Sequence, residues 1–192
     1  MRLDKLTITN FKNLRDFHID FDEQSLTTVL VGRNGTGKSN LLEALIIIFR
    51  DLDLGAPPAF KYQLDYICRE HKVHIDADPD RAKDQVSVSV DGQAISYRRF
   101  SQREGESYLP NYVFGYYSGP TNRMEMHFER HQNRFYEDLL RGVDRPLRPL
   151  LYARLVHSQF VLLVSSMNRI RRSWSFWTNT YVYRALTQFY LS

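Results

Sequence analysis

The stretch from Val29 to Ser39 reads VLVGRNGTGKS, and it decides the fold. Three apolar residues come first, and G-x-x-x-x-G-K-S follows, which is the Walker A pattern of a phosphate-binding loop. Its glycines, at 32, 35 and 37, permit backbone conformations that a side chain would forbid, so consecutive N–H groups can turn toward a phosphate. In this pattern Lys38 contacts the β- and γ-phosphates and the hydroxyl of Ser39 ligates Mg²⁺. The stretch therefore predicts a site for a nucleoside triphosphate.

The segments on either side of the loop favour this interpretation. Leu26 to Val31 is apolar and β-branched, which predicts a strand, and Ser39 to Phe49 predicts a mostly buried helix. The positive end of that helix dipole would point at the same anion. A glycine-rich turn with an incidental Lys-Ser is the alternative, but strand, loop and helix come in the order that a phosphate-binding loop requires. The predicted nucleotide-binding residues are Gly32, Arg33, Asn34, Gly35, Thr36, Gly37, Lys38, Ser39 and Asn40.

Length and composition indicate an ordinary globular protein. The 192 residues fit one domain, or one domain with a small insertion, and 43% hydrophobic and 25% charged residues are typical values. The longest apolar run, Ala44 to Phe49, is far too short for a membrane span. A single cysteine, Cys68, excludes an internal disulfide and favours a reducing cytoplasm. The net charge of +4 is only weak support for nucleic-acid binding.

Two strands are predicted before the loop. Leu3 to Asn10 and Phe17 to Phe21 alternate apolar and polar residues, and Asn13 lies in the turn between them. Together, LTITNFKNL at 6–14 and VGRNGTGKSNLLEA at 31–44 resemble the opening of ABC-type ATPase heads of the RecF, SMC and OLD-like group, often labelled AAA family ATPases. The resemblance covers about the first 50 residues.

This resemblance implies a fold, cofactors and partners. It implies an α/β P-loop NTPase, the N-terminal lobe of an SMC-like head with an antiparallel β insertion. ATP and Mg²⁺ are the implied cofactors, and Ser39 is the implied metal ligand. The implied partner is a second ATPase head, either in a homodimer or as a C-terminal half, with DNA or a nuclease as further partners. DNA repair, DNA maintenance and anti-phage defence are the implied roles.

The region after the helix is predicted to be rich in strands. Residues 62–68 and 73–75 alternate, and Val86 to Val90 meets Asp91-Gly92, a strong signal for a hairpin turn. Counting outward from the turn pairs Val88 with Ile95 and Val86 with Tyr97. We therefore predict a P-loop lobe at 1–55, a β-rich insertion at 56–110, a strand and helices at 111–164, and a basic, aromatic tail at 165–192.

Within 111–164 the pattern predicts three elements and a turn. Tyr112 to Tyr117 reads as a buried strand, and residues 118–120 (Ser-Gly-Pro) read as a turn. Thr121 or Asn122 is placed to cap a helix that runs to about Arg141, where Gly142 ends it. The apolar face of this helix is Met124, Phe128, Phe135 and Leu139. Residues 150–164 predict the start of another helix.

No catalytic residue is assigned. Hydrolysis in this group requires an apolar strand that ends in Asp-Glu, and no stretch after the loop fits. Asp22-Glu23 precedes the loop, and Asp91 is better explained as a turn residue. Residues 117–121 (YSGPT) resemble a signature motif, but Pro120 lacks an N–H that the motif needs. Whether the chain hydrolyses ATP is left open, and a non-hydrolysing regulatory module for a partner protein is the alternative function.

Metal and phosphate sites elsewhere are weaker candidates. Cys68, His71 and His74 have spacings that could ligate a metal, as could His127 and His131 on one helix face, but neither set supplies four ligands. A half-exposed strand and a solvated helix face are the simpler interpretations. A solvated face is also favoured for a set of three arginines that could meet phosphate: Arg123, Arg130 and Arg134.

The C-terminal 48 residues differ in composition from the rest. They contain no acidic residue, whereas 22 in 192 predicts about five or six, and they hold seven arginines, no lysine and both tryptophans. A shifted reading frame in the N-terminal part of a longer ATPase would explain this composition and the missing motifs. The alternatives are a natural tail that binds nucleic acid or a membrane surface, and a minimal protein.

Overall fold

The computed structural model describes residues 1–102, 107–117, 121–143, 150–154 and 157. It divides the chain into two compact units, Met1–Tyr152 and Ala153–Ser192. In the second unit the described residues are 153, 154 and 157, where the backbone N–H of Arg154 donates to Nδ1 of His157 at 2.7 Å. The predicted tail at 165–192 lies outside the described residues.

One antiparallel sheet of six strands forms the first unit's framework, in the order β2-β1-β3-β4-β5-β6. The strands are β1 (Arg2–Phe11), β2 (Leu14–Asp20), β3 (Tyr62–Cys68), β4 (His71–Ala77), β5 (Val86–Val90) and β6 (Gln93–Ile95). The predicted strands before and after the loop are confirmed. They share one continuous sheet, because β1 pairs with β3 as well as with β2.

Alternation gives this sheet one apolar face and one polar face. Leu6, Leu64 and Ile75 are fully buried on the core face, while their strand neighbours Thr7, Asp65 and His74 lie on the other face. Helix α1 (Lys38–Leu54) contributes buried residues to the same hydrophobic core, among them Ala44 and Ile48. Gly55 ends the helix with φ +64°, and its N–H donates to the carbonyl of Asp51. The predicted buried helix is confirmed and is one turn longer at its C-terminal end.

The remaining described elements are short. Helix α2 (Tyr97–Phe100) places Phe100 in the core, and a 3₁₀ turn (Glu125–Phe128) precedes helix α3 (Glu129–Leu140). Two three-residue strands, β7 (Val113–Gly115) and β8 (Leu150–Tyr152), form a separate parallel pair. In the part of the chain that the structure describes, no helix is long and apolar enough to cross a membrane.

The strand predicted for Leu26 to Val31 is wrong for this chain. The segment has no strand pairing, and Leu26, Val29 and Val31 are 82%, 76% and 91% exposed. The sequence pattern is that of a strand, but the six-stranded sheet passes from β1 directly to β3, and the segment joins neither this sheet nor the β7–β8 pair. An apolar segment is thus left uncovered immediately before the phosphate-binding loop.

Two predictions around the hairpins and the later strand need correction. Val88 pairs with Ile95 as predicted, but Val86 does not pair with Tyr97, because β6 ends at Ile95 and Ser96 caps α2. The strand predicted at 112–117 is confirmed only as the short β7, and it is not buried, since the side chains at 112, 114 and 116 are exposed.

The two helix predictions after residue 120 were also partly wrong. Neither Thr121 nor Asn122 caps a long helix; the chain makes the 3₁₀ turn first, and α3 begins at Glu129. The end of α3 is confirmed, with Gly142 at φ +72°. Residues 150–152 form β8 and not the start of the helix predicted for 150–164, and residues 155, 156 and 158–164 of that prediction lie outside the described residues. The predicted turn at 118–120 lies outside the described residues.

Candidate functional site

The phosphate-binding loop has the backbone that its glycines predict. Gly35 and Gly37 adopt φ +86° and +105°, which L-residues rarely adopt. A Cβ on Gly37 would also come within 2.8 Å of Cδ2 of Leu14 and 3.0 Å of Oδ1 of Asn13. The loop therefore requires glycine at 37 for conformation and for space, because the β1–β2 turn packs directly against it.

Lys38 brings its ammonium group back over the loop. Its Nζ donates to the carbonyl oxygens of Gly32 and Arg33, at 2.5 and 2.7 Å. The Arg33 carbonyl also accepts from the hydroxyl of Thr36 at 2.9 Å and from the backbone N–H of Thr36 at 3.4 Å. One cation and several polar groups thus converge where the pattern predicts a phosphate.

The start of α1 is suited to an anion. Gly37 is the N-cap and supplies no side-chain hydrogen bond, and the first turn contains no acidic residue. The first N–H groups of a helix lack intrahelical partners and carry a partial positive charge. Because no side chain of the helix's own first turn neutralises this end, the residues present fit a triphosphate. Ser39, at the second position of the helix, is the hydroxyl in this first turn that could serve a bound Mg²⁺.

A buried carboxylate behind the loop was not found by sequence reasoning. Glu43 is 4% exposed, and it accepts from Nζ of Lys12 at 2.5 Å and from Nε of Arg123 at 3.2 Å. Nε2 of His127 lies 3.0 Å from Oε1 of Glu43, the oxygen that also accepts from Lys12, whereas Arg123 donates to Oε2. Burial alone would raise the pKa of Glu43, but the hydrogen bonds from Lys12, Arg123 and His127 outweigh it and lower this pKa to about 2. Glu43 is therefore ionised and paired at neutral pH.

This ion cluster joins three segments of the chain. Lys12 lies at the end of β1, Glu43 on α1, and Arg123 and His127 at the 3₁₀ turn before α3. The motif residues NLLEA at 40–44 could have signalled an acid on α1, but its partners are 31 and 80 residues away in the chain. Sequence spacing alone could not bring them together.

A line of hydrogen bonds connects the cluster to the loop. Nδ2 of Asn13 donates to the carbonyl of Gly35 at 2.9 Å, and Nδ2 of Asn40 donates to Oδ1 of Asn13 at 2.6 Å. Arg123 donates in turn to Oδ1 of Asn40. Asn13 was predicted only as a turn residue, so its contact with the loop was missed.

The metal alternatives find no support among the described residues, where no group of three or more ligands converges. Cys68 is buried on the core side of β3, and burial raises the pKa of its thiol. The histidines form separate carboxylate pairs instead: His71 with Asp91, His74 with Asp65, His127 with Glu43, and His131 with Asp53.

The other candidates are distributed as follows. Asp91 lies in the β5–β6 turn with φ +51°, and Asp22 accepts the backbone N–H of Gln24 in a turn, which are the structural roles favoured for them. Arg130 and Arg134 are exposed on α3, whereas Arg123 is held by Glu43 and Asn40 before the helix. The YSGPT stretch extends into residues 118–120, outside the described ranges.

Known proteins resemble the N-terminal half of the chain. Residues 1–95 match the AAA ATPase domain. Over 48 residues, the chain is 44% identical to the DNA replication and repair protein RecF of Lactobacillus acidophilus and 46% identical to that of a Picosynechococcus species. These matches cover 25% of this chain and 12% of each relative.

A solved chain gives a weaker likeness. It comes from work on ATP-driven dimerization and DNA-stimulated activation of SMC ATPases, and it shares 20% identity with a TM-score of 0.34. The likeness covers 52% of this chain and 75% of that one. A TM-score of this size does not by itself establish a common fold.

The family match spans the six-stranded sheet, the loop and α1, whereas each RecF match covers 48 residues. Residues 1–95 therefore resemble an AAA ATPase domain, and a 48-residue segment of the chain is similar to RecF proteins.

Proposed function

We propose that this chain binds ATP with Mg²⁺ through residues 32–40 and acts as the ATP-binding head of a RecF/SMC/OLD-like ATPase. One observation carries the proposal: Lys38 folds its ammonium over the loop carbonyls at the start of a helix with no acidic residue in its first turn. A cation and the positive end of a helix are placed together, and both attract a polyphosphate. Ser39 would hold a bound Mg²⁺, which would neutralise part of the charge on the phosphates.

A second ATPase head, or a C-terminal half of one, is the proposed partner. The uncovered apolar segment supports this, because Val29 and Val31 are strongly exposed immediately before the loop. A partner that buried them would gain the free energy of removing apolar surface from water. It would also supply the acid for hydrolysis, since Glu43 is ion-paired with a pKa of about 2 and is a poor base.

The biological setting that we propose is DNA repair or DNA maintenance in the cytoplasm, with anti-phage defence as the alternative. The relatives are named for DNA replication and repair. DNA or a nuclease would then be a further partner. The free, buried Cys68 is compatible with a reducing compartment.

The experiment is a calorimetric titration of the chain with Mg²⁺-ATP. Lys38→Ala should abolish binding, because it removes the cation that opposes the β- and γ-phosphates. Lys83→Ala is the matched control, since Lys83 is an exposed lysine in the loop before β5. Loss of binding in Lys38→Ala alone supports the proposal. Equal ATP affinity in the wild type and Lys38→Ala, or no ATP binding in the wild type, contradicts it.

A further inference from the structure

Arg123 is not part of the Walker A pattern, yet its hydrogen bonds lead to the loop. We infer that Arg123, acting through Asn40 and Asn13, is a positioning residue that sets the phosphate-binding geometry of the loop. The inference rests on the proposed nucleotide-binding function and adds two residues, Arg123 and Asn13, to it. The connected path is Arg123 to Asn40, Asn40 to Asn13, and Asn13 to the carbonyl of Gly35.

The direction of each hydrogen bond follows from the chemistry of arginine. A guanidinium can only donate, so Asn40 must present its oxygen to Arg123. The NH₂ group of Asn40 then donates to Asn13, which accepts with its side-chain oxygen. The NH₂ group of Asn13 is thereby left to donate to the carbonyl of Gly35. The guanidinium at one end can only donate and the Gly35 carbonyl at the other can only accept, so both ends favour the same orientation of the two amides.

The anchored carbonyl controls a donor inside the loop. A trans peptide is planar, so its C=O and the next residue's N–H point in opposite directions. Holding the carbonyl of Gly35 toward Asn13 therefore directs the N–H of Thr36 the other way. This N–H meets the Arg33 carbonyl, which also accepts from Lys38. Arg123 consequently orients the N–H of Thr36, which donates to the same carbonyl as Lys38, the lysine expected to bind phosphate.

Glu43 keeps Arg123 in place. The side chain of Glu43 is 5% exposed and that of Arg123 is 32% exposed, and Nε and Nη2 of Arg123 both donate to Oε2 of Glu43. Two donors on one carboxylate oxygen restrict the plane of the guanidinium. Because the guanidinium is held in this way, Arg123 donates to Asn40 from a fixed position. These hydrogen bonds connect the segment before α3 to the loop.

The test compares two substitutions at the same position. Arg123→Gln removes the cation that donates to both Glu43 and Asn40, so this end of the path loses its anchor, and affinity for Mg²⁺-ATP should fall about five- to tenfold, the effect of roughly one hydrogen bond. Arg123→Lys keeps a group that only donates and should stay within about twofold of the wild type. Arg134→Gln, an exposed arginine on α3, is the control and should bind as the wild type does.

A second readout follows the loop without nucleotide. In the ligand-free protein, Arg123→Gln should shift the side-chain amide NMR signals of Asn13 and Asn40 and the backbone amide signal of Thr36, whereas Arg123→Lys should restore them. If Arg123→Gln does not fold, Asn13→Ala tests the other end of the path and should lose ATP affinity by a similar factor.

The outcomes separate this inference from the proposed function. If the wild type binds ATP and Arg123→Gln, or Asn13→Ala in its place, binds it equally well, the positioning role is wrong and the nucleotide site stands. If the wild type does not bind ATP, the proposed function fails, and the amide signals decide the positioning role. Unchanged signals in Arg123→Gln would overturn it. Equal losses in the lysine and glutamine variants would reduce Arg123 to a packing residue and overturn it as well.

Discussion

At the scale of single residues, the phosphate-binding loop could be predicted from the sequence, but the buried ion cluster around Glu43 behind it could not. The spacing of Gly32 to Ser39 carries its own chemistry, because each glycine and the lysine act on groups a few residues away. Glu43 is different, since its charge is neutralised by Lys12 and Arg123, which only the folded chain brings near. Local motifs can be deduced from sequence, whereas a buried ion cluster depends on long-range topology.

Ser39→Ala should weaken Mg²⁺-ATP more than metal-free ATP. The serine hydroxyl is proposed to contact the metal, while Lys38 and the backbone N–H groups contact phosphate. Titrations with and without Mg²⁺ measure both affinities, and the loss should be about tenfold or less for the metal complex. Equal losses for the two forms of the nucleotide would contradict the assignment of Ser39.

Glu43→Gln should destabilise the chain in a pH-dependent manner. The pKa of Glu43 is lowered from 4.5 to about 2, so its ionised form stabilises the fold above pH 4.5, and this stabilisation is lost as the pH falls toward 2. At pH 7 the substitution should cost roughly 3 kcal/mol of unfolding free energy. Denaturant unfolding of both proteins from pH 7 to pH 3 measures this difference. A difference that does not shrink as the pH falls would show that the charge of Glu43 is not what stabilises the cluster.

At the scale of elements, the alternation of apolar and polar residues predicted most strands of the sheet. It failed for a segment that does not pair with any strand. The strands around Leu64 and Ile75 follow from period-two patterning with a buried face. Leu26 to Val31 has an equally strong strand pattern, but it pairs with neither the six-stranded sheet nor the β7–β8 pair. Ser96 likewise ends β6, because its side chain accepts the N–H of Arg99 and starts a helical turn. The sequence pattern indicates a preference for a strand, and the strand forms only where a neighbouring strand pairs with it.

The contact between the loop and the β1–β2 turn predicts a large effect of Gly37→Ala. The alanine would have to adopt φ +105° with its Cβ within 2.8 Å of Leu14, so we expect a cost of about 2 to 3 kcal/mol in unfolding free energy. Gly92→Ala is the matched control: its φ is +81°, but no atom lies within 4 Å of the added Cβ, so about 1 kcal/mol is expected. Denaturant unfolding measures both, and equal costs would contradict the close packing at Gly37.

At the scale of the whole molecule, the chain pairs a well-formed phosphate-binding loop with an uncovered apolar segment. The matched segment spans about an eighth of the RecF relatives, so much of what they contain has no counterpart in the match. In the described residues, Glu43 is the buried acid on the loop's helix nearest to Ser39, and it is already ion-paired. We therefore expect the chain to bind ATP without hydrolysing it at a significant rate.

Purified alone, the chain should bind ATP and turn it over at or near the background rate. We propose that the loop positions phosphates, but no described residue is placed to activate the attacking water. Phosphate release with and without an added C-terminal half of a RecF-type head measures this difference. Robust turnover by the chain alone that Lys38→Ala removes would show that a catalytic acid is present, and Asp22, Glu23 and Asp91 would be the first to substitute.

Amide hydrogen exchange with and without Mg²⁺-ATP tests the central claim most directly, because it locates the bound nucleotide along the chain. Peptides that cover residues 32–41 should exchange more slowly with ATP, whereas the β5–β6 hairpin at 86–95 should be unaffected. Lys38→Ala should abolish the protection. Protection that maps elsewhere, or that persists in Lys38→Ala, would contradict the assignment of residues 32–40 as the ATP site.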